Sequence, residues 1–190
     1  MPGMWSMKPS TTTTLNFAGM GTQYIEQVFN WAHAADPTAK LFYNDYDAEP
    51  VDAKSDAIYA MAQDFKTRGV SFDGIGFQLH VDLTFDNPAT LASLTTNLQR
   101  FAALGLELHI TELDIRLQDS SAASLNAQAK LYGEIAAICV QQPACKVFQT
   151  WGFMDKYSWI PGFFPGWGWA LAFDANYQKK PAYTSIKNAL

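Results

Sequence analysis

Four short strand-like runs recur along this chain at intervals of roughly 30–40 residues, the size of a βαβ unit, with a helical pattern between each pair. The runs are Lys40 to Asn44, Asp73 to His80, Leu106 to Ile115 and Lys146 to Trp151. Apolar residues at helical spacing predict the helices. Tyr24, Ile25, Val28, Phe29 and Ala32 form the first, stopped at Asp36-Pro37. Ile58, Met61, Ala62 and Phe65 form the second, which Gly69 closes. Leu91, Leu94, Leu98 and Phe101 form the third, between Pro88 and Gly105, and Ala122 to Val140 the fourth. Residues 152–180 read as a long aromatic- and glycine-rich loop, and Ala182 to Ala189 as a last helix. Such alternation predicts a parallel sheet with right-handed crossovers.

Each strand closes on polar or aromatic side chains: Asn44 and Asp45, Gln78 and His80, Glu112 and Asp114, and Trp151. An open doubly wound sheet gathers its ligand groups at one switch point. Polar ends on four successive strands are instead the pattern of a barrel's active face. A complete eight-fold β/α barrel takes ~250 residues, and this chain has 190. The expected fold is therefore α/β, a partial TIM barrel of about four parallel βα units over residues 19–190. Residues 1–18, with two Pro and four consecutive Thr, are expected to be a disordered or vector-derived tail.

The net charge of −5 and the lack of a basic run argue against nucleic acid and anionic membrane as partners. No apolar stretch approaches the ~20 residues of a membrane span, and the N-terminus has no secretory h-region. Cys139 and Cys145 are six positions apart in number, and Pro143 marks a turn that would bring them together. A disulfide and two free thiols are both compatible with that spacing.

Glu112 sits in Leu108-His-Ile-Thr-Glu-Leu-Asp-Ile115, an acid among apolar residues at the end of a buried strand. A carboxylate there is costly without partners. His80, ending the preceding strand, is the natural one, and Asp114 would orient its imidazole; a structural Glu–His ion pair is the alternative. His33, His80 and His109 are dispersed, and neither His-Glu-x-x-His nor Cys-x-x-Cys occurs, so no metal and no cofactor is expected. Gly74-Ile75-Gly76 lacks the third glycine of a dinucleotide fingerprint and reads as close packing. Trp151 to Trp169 carries four of the six Trp, interleaved with Gly and Pro. Aromatic platforms on an exposed loop suit the C–H faces of a neutral sugar, and Trp151 and Trp159 are the candidates.

These residues resemble glycoside hydrolase family 10, the endo-β-1,4-xylanases. Gly105-Leu-Glu-Leu-His-Ile-Thr-Glu112-Leu-Asp-Ile is similar to that family's active-site signature. Leu41-Phe-Tyr-Asn-Asp-Tyr46, Asp73-Gly-Ile-Gly-Phe-Gln-Leu-His80, Thr150-Trp-Gly-Phe-Met-Asp-Lys-Tyr-Ser-Trp159 and Asn176-Tyr-Gln-Lys-Lys-Pro-Ala-Tyr183 agree in order and spacing. The resemblance implies a retaining glycosidase acting on xylan or xylo-oligosaccharides, with Glu112 as nucleophile, His80 bonded to it and Asp114 bonded to His80. It implies Gln78 near the nucleophile, Trp151 and Trp159 walling the glycone subsite, and Asn44 and Tyr46 on the aglycone side. It also implies a Cys139–Cys145 disulfide, as in fungal members, and a secreted protein.

The chain corresponds to the last four of the family's eight strands. The Trp-Asp-Val-Val-Asn-Glu motif that bears the acid/base is missing, and no Asn-Glu dipeptide occurs. Three outcomes are open. The chain works as a xylanase, by self-association through open barrel edges or with a substitute acid, for which Glu49 is the nearest by topology. Alternatively, it binds xylan without cleaving it, or it is a truncated fragment.

Overall fold

Alternating side chains sort each strand onto two faces, and helices cover only one of them. The computed structural model describes residues 23–190, so the tail expected over residues 1–18 lies outside it. The helices are α1 (Gln23–Ala35), α2 (Ala53–Arg68), α3 (Pro88–Ala103), α4 (Ala122–Gln141), α5 (Ile160–Phe163) and α6 (Pro181–Ala189). The strands are β1 (Phe42–Asp45), β2 (Gly74–Phe77), β3 (His80–Asp82), β4 (Glu107–Arg116) and β5 (Cys145–Thr150). Every pairing is parallel: β1 with β2, β2 with β4, β4 with β5, and β3 beside the C-terminal half of β4. β3 prolongs the line of β2, so successive strand units are neighbours. That order belongs to a barrel wall rather than a doubly wound sheet, and the fold is a partial barrel.

One core joins the outward strand side chains Ile75, Phe77, Leu108 and Ile110 to Ile25 and Phe29 of α1, Phe65 of α2, Leu98 of α3 and Tyr132 of α4. The helices have the local signals their sequences call for. Asp52 and Ser55 make a reciprocal capping box on α2, with Gly69 in the left-handed conformation at its other end. Asn87 caps α3, with Pro88 in its first turn. On the opposite face Phe42, Asn44, Glu107, His109, Thr111 and Glu112 are half-buried or exposed.

Two departures from the expected strands matter for the site. The second strand is broken: β2 ends at Phe77, β3 begins at His80, and Leu79 between them has φ +61°. The third strand runs on to Arg116 and carries one extra residue. Phe77 pairs with Ile110 but His80 with Asp114, and Phe148 pairs with Ile110 but Thr150 with Leu113. β4 therefore bulges between Ile110 and Leu113, and a bulge re-aims the side chains beyond it. The long loop is also more ordered than expected. It contains a 3₁₀ turn at Asp155–Tyr157 and the short α5, and Gly168 bridges to Leu117.

Cys139 at the end of α4 and Cys145 at the start of β5 form a disulfide, with Cα atoms 5.3 Å apart. Among the described residues no helix is long and apolar enough to cross a membrane. Replacing both cysteines by Ala is expected to lower unfolding free energy by about 2 kcal/mol, the chain-entropy value for so short a loop. Urea midpoints of the oxidised wild type and the double variant give the comparison.

Candidate active site

The side chains that converge at the C-terminal end of the sheet do so because β2 has almost no side chains on that face. A Cβ on Gly74 would stand 2.2 Å from the Phe42 ring, and one on Gly76 2.4 Å from Asn44 Oδ1. The glycines let β1 side chains lean across β2 onto β4. Phe42 stacks on His109 with ring centroids 4.1 Å apart. Asn44 Nδ2 donates to Glu112 Oε1 at 2.8 Å, while its Oδ1 accepts from Thr111 Oγ1 at 2.7 Å.

The bulge in β4 supplies the second half of the arrangement. Before it, Leu108 and Ile110 are buried toward the helices while Glu107, His109 and Thr111 are half-buried on the open face; after it, Leu113 and Ile115 are the buried apolar pair. The parity shift turns Glu112 and Asp114 onto the open face. Glu112 Oε2 lies 3.2 Å from His80 Nε2, and His80 Nδ1 lies 3.1 Å from Asp114 Oδ2. Trp159 Nε1 donates to the same Asp114 oxygen at 2.7 Å. Asp114 is fully buried, and its Oδ1 has no hydrogen-bond partner among the described residues.

An imidazole between two carboxyl groups can satisfy both only by donating from both nitrogens. Burial alone would lower the His80 pKa, but Asp114 first and Glu112 second outweigh it and raise the ring above its ordinary 6.5. When doubly protonated, the ring presents an N–H to each carboxylate, and Asp114 and Trp159 fix its orientation. His80 also lies against aromatic rings, edge-on to Trp159 at 5.0 Å and to Trp151 at 6.4 Å. A carboxylate oriented in this way is a nucleophile or an electrostatic stabiliser of developing positive charge.

Of the residues expected in the site, Glu112, His80, Asp114, Asn44 and Trp159 form one bonded chain, with Trp151 packed at its edge. Trp151 is 44% exposed, leaving area for a ligand, whereas Trp159 is half-buried and anchors Asp114. Gln78 lies in the β2–β3 break; its N–H donates to Asp45 O at 3.0 Å, and its side chain makes no hydrogen bond among the described residues. Tyr46 follows β1 with the Lys54 ammonium 3.9 Å from its ring centroid.

Glu49 does not fit the role of substitute acid, since it is 3% exposed with Oε1 accepting from Leu79 N–H at 2.8 Å. Thr111 was not expected in the site, nor was Arg116, which bonds Asp82 and the His80 carbonyl. Among the described residues no three His, Cys, Asp or Glu side chains are grouped to hold a metal ion.

A profile of Glycosyl hydrolase family 10 matches residues 6–189. Endo-1,4-beta-xylanase B of Thermotoga neapolitana is 47% identical over 173 residues, covering 90% of this chain and 49% of the relative. Native xylanase 10B from Thermotoga maritima superposes with a TM-score of 0.84 at 49% identity, over 89% of this chain and 52% of that one. Xylanase 10B from Thermotoga petrophila RKU-1, solved in complex with xylobiose, gives 0.84 at 48% identity over 89% and 51%. The chain thus spans about half the length of these relatives.

Two consequences of the geometry can be measured. Gly76→Ala forces Asn44 away from Glu112, and such overpacking is expected to cost about 1–3 kcal/mol, read as a lower urea midpoint. His80, with its folded pKa raised, contributes stability that is fully present below 6.5 and lost as pH rises through the folded value. The stability difference between wild type and His80→Asn should accordingly be largest near about pH 6 and shrink as pH rises through the folded value.

Proposed function

The chain belongs to glycosyl hydrolase family 10, and on that premise we propose that it carries the nucleophile half of a retaining endo-1,4-β-xylanase site acting on xylan and xylo-oligosaccharides. The observation that carries this reading is the Glu112–His80–Asp114 chain, with its two links of 3.2 and 3.1 Å. A Glu112 oxygen bonds to the anomeric carbon as the bond to the leaving oxygen breaks. Water then adds to that carbon and releases Glu112, so configuration is retained overall. Asn44 and the His80 imidazolium hold the two carboxylate oxygens in place for the attack. Trp151 offers its exposed face to the glycone sugar beside Trp159, Gln78 lies near the nucleophile, and Asn44 and Tyr46 line the aglycone side.

The leaving oxygen also needs a proton, and a retaining site places the donor carboxyl ~5–5.5 Å from the nucleophile. The family's acid/base motif is not found in this sequence, where no Asn-Glu dipeptide occurs. Asp114, the second carboxylate of the Glu112–His80–Asp114 group, is committed to His80 and Trp159. The site is therefore impaired toward poor leaving groups unless another segment donates the acid. Self-association through the outer strands β1 and β5 is one route to a closed wall. A secreted location fits the disulfide.

Leaving-group chemistry tests the reading. A 2-fluoro xylobioside with a dinitrophenolate leaving group needs no general acid, and the fluorine slows hydrolysis of the glycosyl-enzyme. The wild type is expected to gain one fluoroxylobiosyl group on the peptide containing Glu112, and Glu112→Gln to gain none. An unlabelled wild type, or a label on another residue, overturns the assignment. Turnover of xylan itself is expected to fall roughly 10²–10⁴-fold short of a site with its acid in place.

A further inference from the structure

Glu49 is a buried carboxyl that the proposed chemistry does not use. It follows β1, is 3% exposed, and turns its Oε1 inward to the Leu79 amide at 2.8 Å. Leu79 is fully buried and has φ +61°, a conformation costing a non-glycine residue roughly 1–2 kcal/mol. It persists because Leu79 is held on three sides. Its N–H donates to Glu49, its carbonyl accepts from Asp114 N–H at 3.3 Å, and its side chain sits in the core. The next residue is His80.

Glu49 is itself held from α3. The buried Asn97 donates through Nδ2 to the Ala48 and Glu49 carbonyls at 2.8 and 2.9 Å. Its Oδ1 accepts from Arg100 Nε at 2.7 Å, and Arg100 reaches Ser55 and Asp56 of α2. A continuous set of hydrogen bonds therefore runs from α2 and α3 to the break between β2 and β3.

A regular strand through Leu79 would keep the β2 pleat and its register with β4. The left-handed residue interrupts the ladder between Phe77 and His80, and His80 resumes pairing opposite Asp114 beyond the bulge in β4. We propose that Glu49 is a positioning residue for the Glu112–His80–Asp114 chain, its carboxyl fixing the Leu79 turn that sets the His80 imidazole between the two carboxylates. Burial pushes the Glu49 carboxyl up to about 7, with Asp47 raising it and Lys54 opposing. Its carbonyl oxygen accepts the Leu79 N–H in either protonation state, so a glutamine should serve in its place. The catalytic meaning of this role rests on the reading of Glu112 as nucleophile; its structural test does not.

The experiment compares wild type, Glu49→Met and Glu49→Gln by amide exchange of Leu79 and by ¹⁵N resonances of the His80 ring. Met fills the volume with only a weak thioether acceptor, and Gln retains a carbonyl oxygen. Glu49→Met is expected to speed Leu79 exchange roughly tenfold or more, the equivalent of one lost hydrogen bond. It should also move the His80 ring resonances toward those of a histidine without carboxylate partners, while Glu49→Gln restores both readings. A folded Glu49→Met with unchanged His80 resonances overturns the proposal, as does a Glu49→Gln that shifts them equally.

Should Glu49→Met not fold, the wild type still decides the matter. The Leu79 amide and the Glu49 side-chain carboxyl carbon must then titrate with one midpoint, and an amide that stays still overturns the proposal. None of these readings requires turnover. Failure of the fluoroxylobioside to label Glu112 would count against the xylanase reading and not against the placement of His80.

Discussion

A carboxylate at the end of a buried strand is tolerable only with compensating partners, and in this protein the central one is the His80 ring, whose protonated form its two carboxylate neighbours favour. Asp114 makes it possible. Fully buried, it accepts from both His80 and Trp159 on one oxygen and so demands a protonated nitrogen facing it. The other ring nitrogen is then free to serve Glu112. Removing one partner of such a buried pair costs several kcal/mol because the remaining charge is left alone. The Trp loop, the start of β3 and the second half of β4 are thus held together by one small electrostatic unit.

Backbone irregularities, rather than regular strand geometry, deliver the side chains to that unit. The extra residue in β4 shifts its pleat by one step, so Glu112 and Asp114 turn to the same face as Thr111. The left-handed Leu79 does the complementary task for His80. Gly74 and Gly76 clear the surface between β1 and β4. Each device is unfavourable or neutral on its own. Together they are stabilised by the core beneath them, where Leu79, Leu113 and Ile115 are fully buried.

Much of the site was readable from strand ends alone. Glu112, His80 and Asp114 could be paired because polar residues closing adjacent parallel strands must lie at one end of the sheet. The bulge was not read from the run Leu106 to Ile115: the buried aliphatics of β4 fall at Leu108 and Ile110, then at Leu113 and Ile115, and such a change of parity requires one extra residue. Trp159 was harder. Its aromatic ring and its loop suggested a sugar platform, and nothing local in the sequence points its indole N–H at Asp114, 45 positions away. Glu49 was misleading for a similar reason, since an acid four positions beyond a barrel strand's polar end looks available until its burial is known.

The sequence by itself determined the alternation of strand and helix, the parallel partial barrel, and the residue types at its active end, because these follow from periodicity and local signals along the chain. Only the tertiary structure decided which groups touch. The break at Leu79, the passage of Asn44 over Gly76 and the double use of Asp114 by His80 and Trp159 depend on distances between elements far apart in sequence. Such contacts are set by packing of the whole core, so no short window of residues encodes them.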